Sequence, residues 1–144
     1  MFSKSCEYAI RAAIYIAAES SVENKIGIAE ICEHIEAPRH FTAKLLQILS
    51  RNRIISSQKG INGGFYTDKK QIGTRLIDIV MAIDGNILFT GCGLGLKNCS
   101  ETEPCPLHDK FKGLRAGIKK MLEESTIENM ANKLKKGNGF LRLE

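Results

Sequence analysis

Over the first fifty residues, apolar side chains recur with the period of a helix. In KSCEYAIRAAIYIAAES, residues 4–20, Ala9, Ile10, Ala13, Ile14, Ile16 and Ala17 cover most of the circumference. That pattern predicts a helix buried on several sides, with Ser3 or Ser5 as its cap. A short helix over 27–35 places Ile28, Ile31, Cys32 and Ile35 on one face. Glu36 and Ala37 break it, and Pro38 suits the first position of a further helix, where no partner is needed for the missing N–H. That helix runs to Asn52. It turns Phe41, Leu45, Ile48 and Leu49 inward and leaves Arg39, His40, Thr42, Ala43, Lys44 and Gln47 largely on its other face. Two short helices in this order, the second led by polar and basic residues, make a helix-turn-helix.

The period then changes. In IISSQKGINGGFYT, Ile54 to Gln58 is a β-prone run, Lys59 to Gly64 a glycine-rich turn, and Phe65 to Thr67 the returning strand. A hairpin directly after a helix-turn-helix is a wing. Residues 74–84 predict another helix, capped by Thr74 and stopped at Gly85. Residues 86–105 are too polar and glycine-rich for a regular element. From Pro106 onward, Leu107, Phe111, Leu114, Ile118, Met121 and Ser125 alternate steps of four and three, a heptad seam. A lone helix with such a seam needs a partner, either a second copy of the chain or the chain's own first helix. Ser125 and Glu128 resemble a capping box that opens a last helix bearing Ile127, Met130, Ala131 and Leu134, and the tail KKGNGFLRLE is expected to fray.

The expected fold is therefore mainly α: a winged helix-turn-helix with a two-stranded β wing, plus a long C-terminal dimerisation helix. The expected division is a DNA-binding unit over 1–85, a ligand-binding loop over 86–105, and the dimerisation and terminal helices over 106–144. A length of 144 residues with 43% hydrophobic side chains suits one such unit with an added oligomerising element. No apolar stretch approaches the ~20 residues that cross a bilayer, and the start of the chain lacks a secretory pattern. A cytoplasmic location with no membrane partner is expected.

Charge sharpens the first unit. Residues 37–75 hold eight basic side chains (Arg39, Lys44, Arg51, Arg53, Lys59, Lys69, Lys70, Arg75) against Asp68 alone, a local +7 within a chain of net +5. This is the footprint of a polyanion-binding face, the plainer reading being a solvated basic surface. On the winged-helix reading, Arg39, His40, Thr42, Lys44 and Gln47 face the major groove of double-stranded DNA, and Lys59 on the wing reaches a minor groove or a phosphate. No nucleophile–base pair, phosphate loop or paired carboxylates point to catalysis. KGINGGF lies between two β runs and opens no helix, so it is not a phosphate-binding fingerprint.

The unpatterned stretch TGCGLGLKNCSETEPCPLH, residues 90–108, carries Cys92, Cys99, Cys105 and His108. In a reducing compartment, clustered cysteines bind metal or do redox chemistry more often than they pair. Three thiols and an imidazole suit a structural zinc site or an iron–sulfur cluster, with inert thiols as the third reading. The wide gaps between ligands favour an object larger than one ion. Cys32 is expected in the core, and Cys6 is assigned a structural role.

SKSCEYAIRA at the start, the helix-turn-helix, KGINGGF in the wing and the three cysteines before a long helix together resemble the Rrf-two family of bacterial winged-helix regulators over nearly the whole chain. The resemblance implies a homodimeric transcriptional regulator, taken as a repressor acting on a pseudo-palindromic operator. It also implies an iron–sulfur cluster that senses redox state, nitric oxide or cluster supply. Cys92, Cys99 and Cys105 would be its thiolate ligands. His108 as fourth ligand matches the branch that regulates iron–sulfur assembly and its [2Fe–2S] site, which is favoured. Glu7 matches the carboxylate of the nitric-oxide-sensing branch and its [4Fe–4S] site. The alternative is a winged-helix protein with a structural zinc and no switching. Departures from the first branch are a first cysteine gap one residue longer than expected, Ala43 in place of an acidic base-discriminating residue, and Lys44 in place of glutamine.

Overall fold

Ser3 starts α1 (Lys4–Glu19), its hydroxyl accepting from the Cys6 N–H at 3.0 Å. Asp84, at the far end of the fourth helix, accepts from the Ser3 N–H at 3.0 Å and from its hydroxyl, placing a carboxylate at the positive end of α1. The alanines Ala9, Ala12, Ala13 and Ala17 let neighbours approach closely, and all four are buried together with Ile14, Tyr15 and Ile16. The expected many-sided burial is observed. In the computed structural model, which describes residues 1–143, α1 packs against four other helices.

The first of these, α2 (Ile28–Ile35), ends at Glu36 in a left-handed conformation that turns the chain toward α3 (Arg39–Arg51). Pro38 is the extended cap residue of α3 and not its first helical residue, and its carbonyl accepts from the Thr42 N–H at 3.0 Å. The wing follows as β1 (Ser56–Gln58) and β2 (Gly64–Tyr66), antiparallel, with Ser57 opposite Phe65. Ile26 and Phe65 exchange both backbone hydrogen bonds (2.9 and 2.8 Å), so the wing is tied to the entry of α2. Gly64 makes this possible: at φ 143°, any Cβ would lie 2.7 Å from the Ile26 carbonyl oxygen.

Helix α4 (Leu76–Asp84) starts two residues later than expected, with Arg75 and not Thr74 as its cap. Thr74 is occupied elsewhere. Its carbonyl accepts from Ile127, while Leu76 donates to Ser125, pinning the junction of the last two helices to the start of α4. A short helix, α5 (Ile87–Thr90), lies where only loop was expected. The long helix α6 (His108–Glu124) and α7 (Ile127–Lys135) complete the chain, and α7 packs along α1 as part of the same core. The capping box of α7 falls one residue later than the sequence suggested: Thr126 and Asn129 satisfy each other's backbone N–H groups, not Ser125 and Glu128.

The predicted seam of α6 is split. His108, Arg115 and Leu122 are buried, with Phe111 and Ile118 partly so, giving an inward stripe with steps of three and four. Leu107, Leu114 and Met121 stay exposed, one per heptad. The tail does more than fray: Asn138 donates to the Lys133 carbonyl and the Arg142 guanidinium to the Glu33 carbonyl (3.2 Å), folding the segment back over α2. Glu144 lies outside the described residues.

Candidate nucleic-acid interface and cysteine–histidine loop

On α3 the helical period sets which side chains face out. Arg39, His40, Lys44 and Gln47 are exposed, in line with Arg51 one turn further on. Thr42, expected among them, is fully buried, and its hydroxyl donates back to the Pro38 carbonyl at 2.8 Å. It is removed from the contact surface because it sits above Leu45, Leu46 and Leu49 on the inward face. Phe41 makes the opposite exchange. It was expected inside and is exposed, its ring edge-on to Tyr8 and His40.

Between α3 and the wing runs a groove of about 360 Å³ lined by Gln47, Ser50, Arg51, Ser57, Gln58 and Lys59, among others. The hydroxyl of Ser50 is buried there without a partner. Ser57 and Gln58, which line this groove, were not among the expected contact residues, and Arg51 was expected only as part of the basic block. The signal for Arg51 was available, since it lies four residues after Gln47 on the same helical face. Lys59 stands at the start of the wing turn, which Gly60 (φ 93°) and Asn62 (φ 63°) bend and the Gly63-to-Gly60 hydrogen bond closes.

The cysteine loop is assembled against the start of α6. His108, the first residue of α6, is only 5% exposed. Its Nδ1 lies 3.4 Å from Cys99 Sγ, and its Nε2 lies 3.3 Å from Glu101 but makes no aligned hydrogen bond. Lys112 holds the Glu101 carboxyl below the usual carboxylate range, His108 adding to the effect. Cys92 accepts from the Leu94 N–H at 3.4 Å. Its thiol is held below its ordinary value by the N–H groups of Leu94 and Leu96, with contributions from Cys105 and Gly95. The loop thus holds one direct sulfur–imidazole contact, Cys99 with His108. Among the described residues no three His, Cys, Asp or Glu side chains converge as a preformed metal site.

Glu7 stands apart. It is ion-paired with Lys4 at 3.4 Å and not with Arg11, which lies over the Tyr8 ring. It takes no part in the cysteine–histidine contacts. Cys6 is fully buried, its thiol pushed up to about 12 by burial and then by Asp84, which makes it a structural residue. Cys32 is only half-buried. All five cysteines are free.

A winged helix-turn-helix followed by this loop and a long helix has counterparts among known proteins. The family described as Rrf2, iron-dependent transcriptional regulator, matches residues 2–133. The chain belongs to the Rrf2 family. Its Rrf2-type relatives include a protein of Aquifex aeolicus assigned as a helix-turn-helix-type transcriptional regulator, 29% identical over 92% of each chain. The regulator IscR of Photorhabdus laumondii is 25% identical over 87% of this chain and 75% of its own. Among solved structures, CymR, the global cysteine regulator of B. subtilis, superposes with a TM-score of 0.74 at 19% identity, covering 92% of this chain and 96% of its own. T. potens IscR superposes with a TM-score of 0.71 at 14% identity, covering 96% and 91%. At these identities the structural matches establish the winged-helix fold. The Rrf2 chain is a transcriptional regulator, as its relatives are, and not an enzyme. Among the described residues no helix is long and apolar enough to cross a membrane.

The loop's donor set fits an iron–sulfur cluster. Three thiols and an imidazole lie on adjoining segments, His108 Nε2 is buried without a hydrogen bond, and glycines 91, 93 and 95 leave the backbone free to adjust.

Proposed function

We propose that this Rrf2 chain is a cytoplasmic, homodimeric repressor whose affinity for a pseudo-palindromic operator depends on an iron–sulfur cluster held by Cys92, Cys99, Cys105 and His108. The single observation that carries this reading is the Cys99–His108 contact, which ties the thiol loop to the first turn of α6. A cluster there would supply electron transfer and reactivity toward oxidants or nitric oxide. The exposed stripe of Leu114 and Met121 on the same helix, with Leu107 at its cap, is assigned to the contact with a second copy. Loop order and dimer geometry therefore share one rigid element. Two winged helices must place their recognition helices about one DNA turn apart, ~34 Å, so a small change in the set of α6 alters affinity. A coupling of about 1–3 kcal/mol gives a ~5–150-fold switch.

On the DNA face, Arg39, His40, Lys44 and Gln47 enter the major groove, and Arg51 and Lys59 flank the groove beside the wing. The units carrying these roles are residues 1–85, 86–105 and 106–144. With His108 as fourth ligand the cluster is [2Fe–2S]. Glu7 could complete a [4Fe–4S] site only from a partner chain.

The test is protein purified without oxygen. Iron and sulfide in roughly a 2:2 ratio per chain establish a [2Fe–2S] cluster and roughly 4:4 a [4Fe–4S] cluster, and loss of the cluster in His108→Ala or in Glu7→Ala identifies the fourth ligand. One zinc per chain without sulfide overturns the sensor. Operator affinity is then compared for the wild type and Cys92→Ala, each with and without the cluster. Identical binding in all four samples overturns the switch.

A further inference from the structure

Arg115 is a buried cation without a carboxylate. It is 9% exposed, and none of the ion pairs among the described residues includes it. Glu101, an acid on the same loop, is paired with Lys112 and lies 3.3 Å from His108 Nε2. The guanidinium instead donates to the Gly91 carbonyl and, at 3.2 Å, to Cys99 Sγ, while its carbon lies 5.5 Å from the Phe111 ring centre. Its Nε is buried with no partner. Removing a guanidinium from water without a counter-ion is strongly unfavourable, so buried charges are found paired. The group next to this cation that can carry negative charge is the Cys99 sulfur.

We propose that Arg115 is the positioning residue of the cysteine loop: one planar fork clamps Gly91 and Cys99, the two ends of a nine-residue segment, onto α6 and sets a fixed positive charge beside the Cys99 sulfur. The geometry calls for arginine. A guanidinium presents two donors in one plane to two acceptors, whereas a lysine ammonium keeps the charge but loses the fork. Sequence spacing gave no sign of this, because Arg115 lies 16 residues from Cys99 and 24 from Gly91. Phe111 packs beside it and against Gly93, where a Cβ would fall 2.7 Å from the ring, so the clamp and the loop's close approach to α6 occur together. The clamp and the position of the charge rest on geometry alone, and their bearing on ligand binding rests on the function proposed above.

The experiment uses the 144-residue chain prepared without iron, as wild type, Arg115→Met and Arg115→Lys. Amide hydrogen exchange reads the clamp. Exchange over residues 91–99 should rise about tenfold in both variants, the equivalent of one lost charge-assisted hydrogen bond, with α1 unaffected. The charge is read at Cys99 by peptide mapping, as the ratio of alkylation rates with iodoacetate (anionic) and iodoacetamide (neutral). A neighbouring cation favours the anionic reagent, and taking the ratio cancels differences in access. The ratio should fall about fivefold in Arg115→Met, the size of one close unit charge in a largely aqueous setting, and be kept in Arg115→Lys. Unchanged loop exchange overturns the clamp, and a ratio equal in all three proteins overturns the charge role. If Arg115→Met fails to fold, Arg115→Lys and Cys99→Ala decide, since each must loosen the loop. Iron analysis of the wild type is independent: an iron-free protein sinks the cluster reading and leaves these outcomes standing.

Discussion

Ile16 and Leu96 carry similar aliphatic side chains into opposite surroundings. Ile16 is fully buried in the last turn of α1, with helices on several sides, whereas Leu96 leaves 55% of its surface in water within the cysteine loop. Around Ile16 the chain is organised by apolar burial, the dominant favourable term in folding. Around Leu96 little apolar surface is removed from water, and order comes from a few polar contacts: Cys99 with His108, Arg115 with Gly91 and Cys99, and the Leu94 N–H with Cys92. The first region holds its shape whatever happens at the surface. In the second, few contacts hold the segment, which places it at the low-stability end of the molecule.

The comparison is broken most directly by truncation. Ile16→Ala should cost about 2–5 kcal/mol in urea unfolding, and Leu96→Ala within about 0.5 kcal/mol of nothing. Equal costs would mean that the loop has a core of its own. Gly64→Ala tests whether the wing belongs to the rigid region. The Ile26 carbonyl oxygen stands 2.7 Å from the new Cβ, so a loss of about 1–3 kcal/mol is expected, together with weaker operator binding. An unaffected Tm would show the wing to be loosely attached.

Strong alkali should destabilise the fold through two buried groups of the core. The Cys6 thiol is raised from 9.0 to about 12 by burial and Asp84, and the Tyr15 phenol from 10.0 to about 12 by burial and Glu30. Both bind their protons more tightly folded than unfolded. Their contribution is complete below about pH 9 and is lost as pH rises toward 12. Cys6→Ala should flatten the thermal-stability profile across that window, and an unchanged slope would refute the assignment. The smallest effect on folding is expected at Lys59→Ala. Stability should stay within about 0.5 kcal/mol of wild type, while the slope of log affinity for DNA against log salt falls by about one. A full slope would place Lys59 away from the phosphates.

Much of the DNA-binding half was legible because its information is local. The buried circumference of α1, the break at Glu36, the glycine turn and the basic block all lie within windows of about a dozen residues, the range in which periodicity and turn chemistry act. Errors came where a non-local contact competed. Thr74 lost its capping role to a backbone bridge with Ile127, and Thr42 turned inward because the inner surface of α3 already held three leucines. At the cysteines, residue type marked the chemistry, but no spacing rule paired Cys99 with His108 or brought Arg115 to Gly91 and Cys99.

The sequence by itself determined the order and kind of the main elements, the positive charge of one face and the presence of a soft-ligand set, because these follow from residue type and short-range repetition. Only the tertiary structure decided which stripe of α6 faces inward, which α3 side chains reach solvent, and that the loop's sulfur sits against a buried arginine. Each of these depends on packing between segments far apart in the chain, where a heptad pattern is compatible with several orientations and the burial of neighbouring helices selects one.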